Sequence, residues 1–210
     1  MEDVSNAIAR NAALHPEATA LIVEDETVTW AHFEQLVDRA SNYLALHTPG
    51  DRLALSLPNS IDLAFAIFGS IRAGKAVQIL DPAWPAPLMR KVLDRLHSDF
   101  VLNLSNVSAF NRHVSSEDQP GMGIDRQADP STPFYTGFTS GSTGIPKGFR
   151  RDQNSWLEIF AATAICSLCP PLTFLWHWEV LPTRSLCTRW YGASTQVVRR
   201  SYSPSSGPTG

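Results

Sequence analysis

Leu53-Ala54-Leu55-Ser56-Leu57, then Ile61, Ala64, Phe65, Phe68 and Ile71, then Ala76-Val77-Gln78-Ile79-Leu80 decide the fold. The first and last runs are short and mostly apolar, as buried strands are, with one polar residue each, Ser56 and Gln78. The residues between them recur at helical spacing, with Asn59 or Ser60 available to cap the helix and Gly74 to end it. The rhythm continues outward. Asp81-Pro82 turns the chain, Leu88, Met89, Val92, Leu93 and Leu96 mark another helix, and Phe100-Val101-Leu102-Asn103-Leu104 another strand. Strands alternating with helices require crossover connections. The fold class read from this is α/β, a mainly parallel sheet flanked by helices.

Upstream, residues 4–14 predict a short amphipathic helix stopped by His15-Pro16. Ala20-Leu21-Ile22-Val23 and Thr27-Val28-Thr29-Trp30 flank Glu24-Asp25-Glu26 as a small hairpin. From about Ala31, Phe33, Leu36, Val37, Ala40 and Leu44 share one helical face, which Pro49-Gly50 closes. Downstream, residues 105–132 are rich in Ser, Asp, Gly and Pro and are expected to form a long surface loop. Pro133-Phe134-Tyr135-Thr136-Gly137-Phe138 then enters as a strand and breaks into glycine.

That break carries the chemistry. Thr139-Ser140-Gly141-Ser142-Thr143-Gly144-Ile145-Pro146-Lys147-Gly148 packs hydroxyls, glycines and a lysine into one loop directly after a strand. Glycine lets backbone N–H groups approach an anion, hydroxyls donate to phosphate oxygens, and lysine adds a mobile point charge. The combination suits a polyphosphate. It is not the common nucleotide-triphosphatase loop, because Pro146 and Gly148 occupy places that loop reserves for Gly and Ser or Thr. Gly121-Met122-Gly123 is no dinucleotide fingerprint either, since Arg126 stands where the third glycine belongs.

Phe138-Thr139-Ser140-Gly141-Ser142-Thr143-Gly144-Ile145-Pro146-Lys147-Gly148 resembles the core signature of the adenylate-forming (AMP-binding) superfamily. That group includes acyl-CoA synthetases, adenylation domains of nonribosomal peptide synthetases, and firefly luciferase. Val28-Thr29-Trp30-Ala31-His32-Phe33 and Ile71-Arg72-Ala73-Gly74-Lys75-Ala76-Val77-Gln78-Ile79-Leu80-Asp81-Pro82 resemble two earlier family segments, which we read as structural. The resemblance covers residues 5 to about 165. It implies part of the large N-terminal domain of such an enzyme. It also implies that Thr139, Ser140, Gly141, Ser142, Thr143, Gly144 and Lys147 grip the phosphates of ATP, with Mg²⁺ bridging them. The family's partners are ATP, a carboxylic acid, and CoA as co-substrate of the complete enzyme. The family reaction joins acid and ATP into acyl-AMP, then a thioester.

The family's adenine, ribose and C-terminal lysine motifs are not found; the lysines here are Lys75, Lys91 and Lys147. No catalytic residue and no metal ligand is therefore assigned. The expectation is a truncated AMP-dependent ligase, inactive alone. The alternatives are a non-catalytic nucleotide- or partner-binding module, or one half of a split ligase with a complementing C-terminal chain.

Composition marks a seam. The chain has 210 residues, 43% hydrophobic and 18% charged, with net charge −3, which gives no general attraction to nucleic acid or an anionic membrane. Residues 153–210 hold Glu158 and Glu179 against Arg184, Arg189, Arg199 and Arg200, together with Cys166, Cys169 and Cys187. The division expected is 1–165, a partial AMP-binding domain, and 166–210, an atypical tail that is disordered or out-of-family. A lone CxxC and a His between Trp176 and Trp178 are read as incidental. Residues 159–178 lack a full charge, but Pro170-Pro171 removes two backbone donors that lipid cannot replace, so no membrane span is expected. The acidic start and reduced-thiol reading predict a cytoplasmic location.

Overall fold

The computed structural model describes residues 5–23, 26–116, 131–139 and 146–156. The glycine pair at 121 and 123, the cysteines, the uncharged stretch 159–178 and the tail lie outside the described residues.

Helix α1 (Asn6–Leu14) precedes an antiparallel hairpin of β1 (Thr19–Val23) and β2 (Glu26–Thr29). Helix α2 (Trp30–His47) starts on Thr29, whose hydroxyl accepts from the His32 amide at 3.3 Å. Then follow β3 (Arg52–Ser56), α3 (Ile61–Arg72), β4 (Ala76–Ile79), α4 (Ala86–Leu96), β5 (Phe100–Asn103), α5 (Val107–Ser115), β6 (Pro133–Thr139) and β7 (Lys147–Asp152). Of the two residues offered as caps for α3, Ser60 does the work: its hydroxyl accepts from the Leu63 amide at 3.2 Å. Asp62 in the first turn and Arg72 in the last complement the dipole of this helix.

The large sheet has the order β5-β3-β4-β6-β7. Its first four strands run parallel, and β7 returns antiparallel to β6. The expected α/β class with a mainly parallel sheet is therefore what forms. From β3 the chain crosses through α3 to β4 on one side, then back through α4 to β5 on the other. Right-handed crossovers in opposite directions place their helices on opposite faces. The core divides accordingly. Leu53, Leu55, Val77 and Leu102 join Phe65, Phe68 and Phe110 in one cluster, while Ala54 and Leu80 join Val92 of α4 in a second.

Helix α2 lies across α3 at close range. A Cβ on Gly69 would stand 2.7 Å from the Ala40 Cβ, so only glycine admits this approach. Phe33 meets Phe68 edge-on at 5.7 Å. Arg72 makes a bidentate pair with Glu34, at 2.8 and 2.7 Å.

The stretch expected as a long surface loop from residue 105 is not one throughout. Helix α5 occupies its start, and Phe110 and Val114 are buried against α2 and α3. Phe110 packs on Tyr43 at 5.3 Å and Phe65 at 5.5 Å. The polar residues around it gave the loop reading, but Val107, Phe110 and Val114 share a helical stripe.

Two predictions follow from the core. Phe110→Ala will cost about 3–5 kcal/mol, the range for an aromatic truncated in a packed core, read from urea unfolding; a surface-loop position would lose under about 0.5 kcal/mol. Tyr135 is buried, and burial pushes its phenol up to about 12. A folded value above the unfolded one stabilises the fold below pH ~10, and this contribution is lost as pH rises through ~12. Stability should therefore fall by about 2–3 kcal/mol over that window, and Tyr135→Phe should flatten the fall. Unfolding measured from pH 9 to 12 checks both.

Candidate functional site

The glycine-rich segment joins β6 to β7. Because β6 runs parallel to β4, its last residue, Thr139, comes out at the carboxyl edge of the sheet, beside the turn after β4. That edge is where open α/β sheets bind ligands. Lys147 opens the return strand directly opposite: Thr139 and Lys147 are register partners, and the Thr139 hydroxyl donates to the Lys147 carbonyl at 3.4 Å. Both residues are exposed. A hydroxyl and an ammonium group thus flank the two ends of the loop. Ser140, Gly141, Ser142, Thr143 and Gly144 lie outside the described residues.

Below the tip, β6 and β7 are held by two reciprocal aromatic–glycine pairs. Gly137 faces Phe149, and Phe138 faces Gly148. A Cβ on Gly137 would stand 2.6 Å from the Phe149 ring, and one on Gly148 would stand 3.3 Å from the Phe138 ring. Each ring therefore covers its glycine, which lends bare backbone the apolar cover it lacks. The rings lie on opposite faces of the ribbon and tie it to different parts of the core. Phe149 packs on Tyr135 at 6.2 Å, toward the α3 and α5 side. Phe138 packs with α4's cluster on the other side, where Trp84 meets it edge-on at 5.4 Å.

At the end of β7, Asp152 caps the next turn, its carboxylate accepting from the Ser155 amide at 2.8 Å. Trp156 then packs on Phe134 at 5.4 Å and Tyr135 at 5.3 Å, which anchors the far end of the hairpin.

The two earlier family-like segments have structural duties. Lys75 is buried and donates to the Thr48 carbonyl at 3.0 Å and the Gly50 carbonyl at 2.6 Å, closing the end of α2. With Lys75 committed there, Lys147 is the lysine placed at the loop. Strand β7 itself was not anticipated. Lys147-Gly148-Phe149-Arg150-Arg151-Asp152 has a single apolar residue and so no alternation to detect. The signal available was the pairing of glycine and aromatic on either side of the loop. Among the described residues, no group of three or more His, Cys, Asp or Glu could hold a metal, and no helix is long and apolar enough to cross a membrane.

The family model of the AMP-binding enzyme matches residues 8–177, and so takes in residues 166–177, which composition assigned to the tail. An uncharacterised acyl-CoA ligase of Bacillus subtilis, YhfT, is 29% identical over 175 residues, covering 76% of this chain and 36% of that protein. A dimodular nonribosomal peptide synthase of the same organism is 27% identical over 178 residues, covering 73% of this chain and 7% of that protein. The chain thus spans about a third or less of the length of these relatives. In fold it is similar to O-succinylbenzoate coenzyme A synthetase of Bacillus subtilis, solved with ATP and a magnesium ion. The TM-score is 0.65 at 24% identity, over 79% of this chain and 38% of that one. Signature, fold and a family match over most of its length agree: the chain belongs to the AMP-binding enzyme family.

Proposed function

We propose that residues 139–147 bind the β- and γ-phosphates of ATP as the leaving group of an acid-activating ligase. The observation that carries this reading is the placement of Thr139 and Lys147 as partners across the β6–β7 tip, at the carboxyl edge of the sheet. In the complete reaction a carboxylate oxygen attacks the α-phosphorus, the bond to pyrophosphate breaks, and acyl-AMP forms. A thiol, of CoA or of a carrier, then attacks the acyl carbon and AMP leaves. The hairpin's part is to hold and neutralise pyrophosphate as it departs. Lys147 supplies charge, and Thr139, Ser140, Ser142 and Thr143 supply hydroxyl donors. Gly141 and Gly144 let backbone amides approach the phosphates. This donor set fits phosphate oxygens rather than a metal, so Mg²⁺ would enter as MgATP.

We infer further that these 210 residues do not adenylate an acid by themselves. The groups that would grip adenine and ribose have no counterpart among their motifs, and positioning from one side of the nucleotide supplies only part of the catalysis. We infer too that the compositional seam marks an out-of-family tail, and because the family model reaches residue 177 we put the start of that tail after 177 rather than after 165.

Calorimetric titration tests the reading. The chain should bind MgATP weakly, and Lys147→Ala should weaken binding about 10- to 100-fold, as expected for losing a charged donor to phosphate. Binding unaffected by Lys147→Ala would discard the site. Acid-dependent ATP–pyrophosphate exchange by the purified chain, abolished by Lys147→Ala, would discard the inference of inactivity. Removing residues 178–210 should leave the thermal midpoint unchanged within about 2 °C; a larger drop would mean the tail packs on the domain.

A further inference from the structure

Trp84 belongs to no part of the family-like signature and stands in the connection from β4 to α4. Its backbone is fixed from both directions. Asp81 accepts from the Ala83 amide through its carboxylate at 2.9 Å, and the Trp84 amide donates to the Asp81 carbonyl at 3.1 Å, so Asp81-Pro82-Ala83-Trp84 is a closed turn. Pro85 follows at once, restricting Trp84 to extended backbone, and its carbonyl accepts the first amides of α4, from Leu88 at 2.9 Å and Met89 at 3.0 Å. A half-buried indole held this way is a rigid post at the carboxyl edge of the sheet.

What the post touches is the hairpin. Trp84 meets the Phe138 ring edge-on at 5.4 Å and 85°, and the Phe138 ring in turn lies over Gly148. Phe138 immediately precedes Thr139, and Gly148 immediately follows Lys147. One line of contact therefore runs from the β4–α4 turn, through two aromatic rings, to the backbone on both sides of the loop. By contrast, β6 is tied to the parallel sheet through β4 only at Tyr135 and Thr136, below the tip. Above those two positions Phe138 packs with the Ala54, Leu80 and Val92 cluster, and among the described residues Trp84 meets its ring edge-to-face.

We propose that Trp84 is a positioning residue: by pressing Phe138 onto Gly148 it holds the register and aim of the β6–β7 tip, so that Thr139 and Lys147 face the same pyrophosphate unit. This rests on the phosphate reading given above and adds to it the group that preorganises the grip. An edge-to-face aromatic contact of this kind corresponds to about a 3- to 10-fold change in the population of the ordered tip.

The test uses the full chain as wild type, Trp84→Ala, Trp84→Phe and Lys147→Ala, with amide hydrogen exchange and MgATP titration on each. In Trp84→Ala, exchange at residues 138–139 and 147–149 should quicken about 3- to 10-fold, with residues 53–56 and 77–79 unchanged, and Trp84→Phe should restore wild-type rates. Affinity for MgATP should fall by the same factor in Trp84→Ala and recover in Trp84→Phe. Unchanged exchange at the tip overturns the proposal. So does a uniform rise through the whole sheet, which would make Trp84 ordinary packing. MgATP affinity that is lost in Lys147→Ala but untouched in Trp84→Ala overturns the positioning role and leaves the phosphate reading standing. If wild type and Lys147→Ala bind MgATP alike, the phosphate reading fails, and the positioning role for a phosphate grip fails with it, whatever the exchange rates show.

Discussion

Two register pairs, Val77 with Tyr135 and Gln78 with Thr136, join β6 to the parallel sheet, and the site depends on that junction. The four residues come from parts of the chain separated by two helices, a strand and a polar stretch, so the pairing closes a long loop. It sets which edge of the sheet receives Thr139. Its chemistry suits the burden. Val77 and Tyr135 are buried toward the α3 and α5 cluster. Gln78, facing the other way, is buried too, and accepts from the Ser98 hydroxyl at 2.5 Å through its side-chain carbonyl. A buried amide left unpartnered would cost about 1–3 kcal/mol, so Ser98 helps make this strand position tolerable.

The helical layer supports the junction by holding β3 and β4 in place. Close contact of α2 with α3 at Gly69, the Arg72–Glu34 fork and the burial of Lys75 on the end of α2 all act between elements near in sequence. The Arg72 side chain is 11% exposed and Glu34 27% exposed, so solvent still reaches the pair. Removing Glu34 would leave a mostly buried guanidinium with the Asp38 carboxylate at 3.8 Å and the Ser5 carbonyl at 3.4 Å, and the damage would exceed what the intact pair contributes.

Legibility in the sequence followed the strength of each local pattern. Strands β3, β4 and β5 are short, mostly apolar runs, and the helices between them show one face each, so the α/β class was readable from residues 53–104. Helix α5 was readable in principle but was masked by polar neighbours, although Phe110 sits at the meeting point of α2 and α3. Strand β7 was not readable by alternation. Its edge position exposes Lys147, Arg150 and Arg151, the charges that keep an edge strand from pairing with strangers, and those charges erase the apolar signal. The phosphate chemistry read from residues 139–147 stands as the proposal above; that Thr139 and Lys147 face each other across a hairpin was not legible, because the Gly137–Phe149 and Phe138–Gly148 pairs bring together residues that stand apart in sequence.

The segments of family resemblance divide by what they do, and the division is physical. Arg72, Gly74 and Lys75 are consumed by helix ends and helix contacts: Arg72 pairs with Glu34, Gly74 takes φ 68° to end α3, and Lys75 closes α2. No charge in that group remains to meet a ligand, since the carbonyls and carboxylates around it already hold each cation. Asp81-Pro82 completes the same segment by making the turn that fixes Trp84. This segment therefore builds the floor on which the hairpin stands, while Lys147, exposed at the tip, is the cation of the proposed phosphate grip. In the proposed phosphate grip, amides lent to an anion are not available for holding the loop's own shape, and Phe138 and Phe149 on either side supply support in their place.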